Sequence, residues 1–366
     1  MRQRATVAGG GIAALSCARL LSERGWEVDL VGGEIHPLPP LVLNEVTLGL
    51  LLDVWSGDRE IFAGGHRLTA RRVRWGAGAP EVTVRAPALA IRGDLLVAAL
   101  RQRVLAGDRP RVRMSDEPSV VSGDWIVNAS GSSVATGPGL ALGVRTTFGR
   151  RRVISAETAL DAGGSREATR IETVEDAWLH VAPSGCDRAI VQAMVPTLPP
   201  DPLATLADLL TAAPWLGADP GALEAPVSLF PAAPAFAAPL CGPGWICVGD
   251  AAVAFDPLSG AGAGHAVRSA LLASAVLGAI TSGLPSSGCL GHYEWRLRDA
   301  LVEHLGHCVR LYSAAFSSPV WRAEIGRMRR GLIMPPQPED PRVGARYLLR
   351  GANLEPSGPA DPHGDR

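Results

Sequence analysis

Lysine is absent from this chain. All 35 of its cationic side chains are arginines, which stay protonated at any pH a folded protein meets. Imine chemistry on a side-chain amine and the lysine-dependent phosphate loop are thereby excluded. The six cysteines, Cys17, Cys186, Cys241, Cys247, Cys289 and Cys308, include no C-x-x-C pair, and no histidine stands at finger-like spacing from them. No metal site is expected, and the thiols are read as reduced in a cytoplasmic protein. Met-Arg-Gln-Arg at the start runs into a glycine turn instead of an apolar leader. The longest uncharged run, 269–293, has an apolar core only over 270–280, short of the ~20 residues a membrane span needs. No span is expected. Neither G-x-S-x-G nor H-E-x-x-H occurs, which leaves hydrolysis without a motif. The 35 arginines and 36 carboxylates nearly cancel, so no nucleic-acid partner is expected.

What is present is a globular composition, 47% hydrophobic over 366 residues, enough for about two domains. Residues 5–8, 12–24 and 28–31 read as strand, helix and strand, with a proline-rich loop at 36–40. Stretch 41–55 is apolar at nearly every position and fits either element, while alternation at 81–85 marks an antiparallel sheet. A helix at 93–104 and a strand at 125–127 return the chain to α/β order, and 245–248 is another buried strand. Helices follow at 262–280, 293–311 and 318–330, and 356–366 reads as a tail. The segments divide into a discontinuous α/β domain (1–38, 88–140, 238–283), an inserted mixed-sheet domain (39–87, 141–237), C-terminal helices (284–350) and a flexible end (351–366).

Two glycine-rich stretches carry the chemistry. In Gly9-x-Gly11-Ile12-Ala13-Ala14 the missing side chains let backbone approach a pyrophosphate, and the helix that follows offers unpaired N–H groups to the anion. The ribose-binding acid expected after the second strand is replaced by Gly32, with Glu34 the nearest carboxylate. The second stretch runs from Trp245 through Gly249-Asp250 to Asp256-Pro257 and the glycines at 260, 262 and 264. It sets a carboxylate at a strand end for polyol hydroxyls, and a helix N-terminus against a flat ligand.

The pair of motifs resembles FAD-dependent monooxygenases of the p-hydroxybenzoate hydroxylase fold. That resemblance implies an α/β protein with a Rossmann-like FAD-binding domain, an inserted substrate domain and FAD as cofactor. It places Gly249 and Asp250 on the ribityl chain and Pro257, Gly260, Ala261, Gly262 and Ala263 beside the isoalloxazine. Arg92, in Ile-Arg-Gly-Asp-Leu-Leu, resembles the family's arginine opening a helix near the cofactor; as a solvated helix-start residue it has an equal bland reading. The middle motif is Ser130-Gly131 in place of Asp-Gly. It resembles the branch of tryptophan halogenases and the maturation flavoproteins of tryptophylquinone amine oxidases, as do Arg74-Trp75-Gly76, Trp178-x-x-x-x-Pro183 and the segment from Tyr293 to Arg322. Resemblance to halogenases implies a lysine and a W-x-W-x-I-P signature, and both are missing.

The resemblance therefore implies oxygenation through a flavin hydroperoxide. The substrate that the resemblance implies is an electron-rich aromatic: a tryptophan of a peptide or partner protein, or a small aromatic molecule. A geranylgeranyl-type reductase and a non-catalytic flavin-binding assembly factor remain alternatives. No second G-x-G-x-x-G follows a strand, so electrons come from NAD(P)H or a separate flavin reductase. Acid–base candidates near the ring are Glu45, Asp256 and His265; read blandly they are a surface charge, a turn residue before Pro257 and a packed helix residue. Trp178 and His180 either line the substrate pocket or sit in an ordinary core. Arg71, Arg72 and Arg74, with Arg150, Arg151 and Arg152, form either a basic rim for an acidic peptide or a solvated face.

Overall fold

The computed structural model describes residues 3–32, 38, 40–106, 112–115, 124–132, 144–161, 165–185, 187–333 and 346–357. The chain opens with β1 (Arg4–Ala8), α1 (Ile12–Glu23) and β2 (Glu27–Val31), leaves through β3 (Leu41–Asn44), α2 (Glu45–Val54), β4 (His66–Arg74) and β5 (Val82–Ile91), and returns by α3 (Gly93–Leu105), β6 (Val112–Ser115) and β7 (Trp125–Asn128). A second excursion carries β8 (Val144–Thr147), β9 (Arg152–Ala159), β10 (Ala168–Val174), β11 (Ala177–Pro183), β12 (Arg188–Val195), α4 (Pro202–Ala212), β13 (Ser228–Pro231) and β14 (Ala235–Ala238). Then come β15 (Cys241–Gly242), β16 (Trp245–Cys247), β17 (Val253–Ala254), three helices, α5 (Gly262–Thr281), α6 (Ser286–Ala315) and α7 (Pro319–Gly331), and a hairpin of β18 (Arg346–Arg350) and β19 (Asn353–Ser357).

Strands from the two ends of the chain make one sheet. Its order is β15-β16-β7-β1-β2-β6, parallel apart from the edge strand β15. Helices cover such a sheet on its faces, so its strands are apolar throughout; Val7, Leu30, Val127 and Ile246 are buried in it. The excursions build an eight-stranded mixed sheet, β13-β9-β12-β11-β10-β4-β5-β3. Alternation splits its two faces. Leu179, Val181 and Val191 pack toward α4 with Leu206 and Leu210, whereas Trp178, Met194 and Val153 join the main core.

The ambiguous stretch 41–55 turns out to be both elements, a strand and then a helix. The change occurs at Asn44, whose Oδ1 accepts the Thr47 N–H at 2.9 Å and caps α2. Helix α5 follows the expected 262–280 to within one residue, running 20 residues from Gly262, and its most apolar stretch has a mean hydropathy of 1.4. By length and composition alone it meets the membrane-crossing test, but 67% of that stretch is buried inside the protein, against α1, α2 and α6. The end of the chain differs from expectation. The β18–β19 hairpin runs across the 350/351 boundary and buries Tyr347 and Leu354.

Candidate functional site

The first glycine turn is held by the protein itself. Gly9 sits at φ +139°, its N–H bonds to Val31 O at 2.8 Å, and a Cβ there would lie 2.3 Å from the Ala129 carbonyl oxygen. Gly11 is different. It caps α1 at φ −87° and ψ −173°, where any residue is at ease, and a Cβ on it would meet nothing within 4 Å. Ile12, Ala13 and Ala14 form the first turn of α1, buried against the sheet.

The late motif docks onto the same place. Gly249, at φ +60°, puts its missing Cβ 2.7 Å from Ala13 of α1, and its N–H bonds to Ser269 Oγ of α5 at 2.8 Å. Asp250 follows and reaches solvent. Protein crowds its flanks enough that desolvation pushes its carboxyl up to about 6, against the pull of Arg145. Arg145 Nη1 donates to the Asp250 carbonyl at 2.7 Å, yet the carboxylate accepts no hydrogen bond from the described residues. Pro257–Ser259 then forms a single 3₁₀ turn, Gly260 adopts φ +60°, and Ala261 leads into α5 at Gly262 and Ala263. Like Gly11, Gly260 and Gly262 would point a Cβ into open space. At Gly264 a Cβ would meet Thr47 Oγ1 at 2.8 Å, which brings the start of α2 beside the start of α5.

The proposed acid–base residues take three different situations. Glu45 opens α2, two residues before Thr47, and is exposed. His265, in the first turn of α5, is 3% exposed; its ring lies 4.6 Å from Phe255 and its Nε2 has no partner. Burial lowers its pKa to about 4, so it is neutral. Asp256 is fully engaged: Oδ2 pairs with Arg151 at 3.0 Å, and Oδ1 accepts from Tyr312 Oη at 2.8 Å and Leu258 N at 3.0 Å.

Arg92 caps α3, pairs with Asp94 at 2.6 Å and is 57% exposed in its side chain. It also lines a cavity of about 450 Å³ with Leu38, Pro40, Glu157, Ser155 and Ser228. Cross-strand register puts His180 opposite Gln192, Gln192 opposite Ser155 and Ser155 opposite Ser228, so the four share one face and the row ends in the cavity wall. Burial and the nearby Arg71 lower the His180 pKa to about 4. Trp178, two residues along, belongs instead to an aromatic cluster: its Nε1 donates to Tyr312 Oη at 3.2 Å and its ring lies 6.2 Å from Trp75. Glu34 lies outside the described residues.

The arginine runs are not one basic surface. Arg151 is 1% exposed, while Arg72 and Arg74 lie over the Trp215 ring at 5.7 and 4.4 Å. Residues that motif reading missed are Arg145, Gln192, Ser155, Ser228 and Thr47, and it places Arg151 only in a rim or solvated face. Strand alternation carried a signal for Gln192 and Ser155; none distinguished Arg151 from its neighbours.

No family model matches the chain, and no curated protein matches it in sequence. Among solved structures, the flavin-dependent halogenase CmlS superposes with a TM-score of 0.73 at 19% identity, over 90% of this chain and 70% of that one. The peptidyl tryptophan dihydroxylase QhpG, essential for tryptophylquinone cofactor biogenesis, gives 0.71 at 20% identity, over 98% and 86%. A mutant of 2-methyl-3-hydroxypyridine-5-carboxylic acid oxygenase gives 0.68 at 20%, over 90% and 98%. The chain thus has the fold of these flavin-dependent halogenases and hydroxylases, with a Rossmann-like sheet, an inserted mixed sheet and C-terminal helices.

Proposed function

We propose that the protein is an FAD-dependent monooxygenase that hydroxylates an electron-rich aromatic, a tryptophan side chain of a peptide or partner protein. The observation that supports the cofactor is the placement of Gly11 and Gly262 at the starts of α1 and α5, where nothing within 4 Å would meet a Cβ and a ligand has room to approach the helix N-termini. Residues 1–38, 88–140 and 238–283 serve as the FAD-binding part and 39–87 with 141–237 as the substrate part.

The residues present fit the group. The first turn of α1 offers N–H donors to a pyrophosphate, and Asp250 keeps a carboxylate unpaired for ribityl hydroxyls. The α5 N-terminus, with no acid in its first turn, favours negative charge at the edge of the ring. Bound FAD supplies oxygen activation, which no side chain provides. Glu45, exposed beside α5, exchanges the proton with solvent, while His265 stays neutral and Asp256 is held by Arg151. The cavity between Arg92 and Ser228 admits the aromatic, with Ser155 and Ser228 as polar groups on its wall and neutral His180 and Gln192 behind them in the same row.

A chain without lysine lacks the side chain that resemblance to halogenases calls for. Four charged residues, Arg92, Asp94, Glu157 and Glu224, line the cavity, unlike the long apolar tunnel that a prenyl reductase needs. The test is to reduce FAD-loaded protein without oxygen, then mix it with oxygen and a tryptophan-containing peptide. Oxygen added to the peptide, read by mass, is the expected result. Retained FAD with an unchanged peptide would favour the reductase, and colourless protein the non-catalytic assembly factor.

A further inference from the structure

The turn at Pro257–Ser259 is tied to the far C-terminal helix by a buried line of charge. Asp256 caps that turn; its N–H donates to His304 Nε2 of α6 at 2.8 Å, and its carboxylate accepts from Tyr312 of α6. Arg151, with no side-chain exposure, bridges Asp256 at 3.0 Å and Glu324 of α7 at 2.7 Å. Glu324, 1% exposed, also accepts the Arg150 N–H on both oxygens, at 3.1 and 3.0 Å, and pairs with Arg327 at 2.6 Å. The backbone is cleared to admit it: Gly149, at φ +151°, would place a Cβ 2.4 Å from Glu324 Oε2.

Two carboxylates and two guanidiniums are therefore spent on one contact between α7 and the turn. Apolar side chains of similar volume commonly stabilise as well as such a cluster does, whereas the cluster fixes geometry. We propose that Glu324 and Arg151 are positioning residues that act through Asp256 to set the 257–262 turn against the flavin ring; this rests on the FAD reading above. The strut reaches only the ring end. The α1 turn, which would hold the adenosine end, shares no hydrogen bond or ion pair with it among the described residues.

The two ends can be read separately in the full-length apoprotein, with FAD and with ADP as probes. Glu324→Gln is expected to weaken FAD binding about tenfold and to shift the visible flavin spectrum, with ADP affinity unchanged. Arg151→Lys keeps a cation but reaches one carboxylate at a time, and is expected to show the same selective loss. Equal losses of FAD and ADP affinity in both variants would assign the network to general stability and overturn the proposal. Wild-type FAD affinity and spectrum in both would overturn it as well. Failure of the wild-type protein to bind FAD would instead sink the cofactor reading.

Discussion

On the proposed reading, the six-stranded sheet meets its ligand with backbone, and the eight-stranded sheet meets its own with side chains. On the first, Gly11 and Gly262 stand at helix starts with open space where a Cβ would be, while Gly9 and Gly249 let the backbone close on Ala129 and Ala13. On the second, His180, Gln192, Ser155 and Ser228 come from four strands and meet only through register. A backbone site is contiguous in sequence and leaves a motif. A side-chain site is scattered, and one residue of slip in any strand would turn its members to the other face.

The largest effect should come from filling reserved space. Gly11→Val is expected to lower FAD affinity roughly 100-fold, ~2.7 kcal/mol, while the melting temperature of the apoprotein holds. A parallel drop in that temperature would show that the position serves packing instead. Gly9→Ala is the converse case, since its Cβ would strike the Ala129 carbonyl. The chain itself should lose about 2 kcal/mol, measured by urea unfolding without cofactor.

On the other sheet, His180→Ala or Gln192→Ala should raise KM for a tryptophan peptide about tenfold, as one lost hydrogen bond predicts. FAD affinity should not move; if it falls, the two sites are not separate. Stability also changes with pH. His180, His265 and His292 are each lowered from 6.5 to about 4 by burial. The unfolded chain therefore takes up protons in that window while the fold does not, and stability falls as pH drops from 6.5 toward 4. Asp250, raised from 3.8 to about 6, acts in the opposite sense. A melting temperature that rises on acidification through this range would mean that the histidines are not buried neutral.

The same contrast explains what was legible in the sequence. Gly9 to Ala14 and Gly249 to Gly262 could be read because the fold puts each function on consecutive residues. Arg151 could not, because Arg150, Arg151 and Arg152 look alike and only the turn at Gly149 sends the middle one inward. Trp178 and His180 share a face, as alternation predicts, but Tyr312 of α6 engages Trp178, whereas His180 stands in the row of Gln192 and Ser155 that leads to the cavity wall. Asp256 sits beside the ring motif in sequence, but its partners lie on elements too distant for any spacing rule. The opening turns of α6 escaped notice because Gly288 and Gly291 weaken the helical pattern, although Cys289, Leu290 and Tyr293 pack inward.

The C-terminal hairpin sets a limit on the order of events during synthesis. Arg24, just past α1, bonds to the carbonyl of Ala352 and to Asn353, which lies 329 residues away. At ribosomal rates that interval lasts roughly half a minute, and β1 also waits for β7 and β7 for β16. The nascent β1-α1-β2 unit must therefore stay soluble with α1 largely uncovered until α5 has emerged, and its last tie, to the hairpin, forms only after Asn353 emerges.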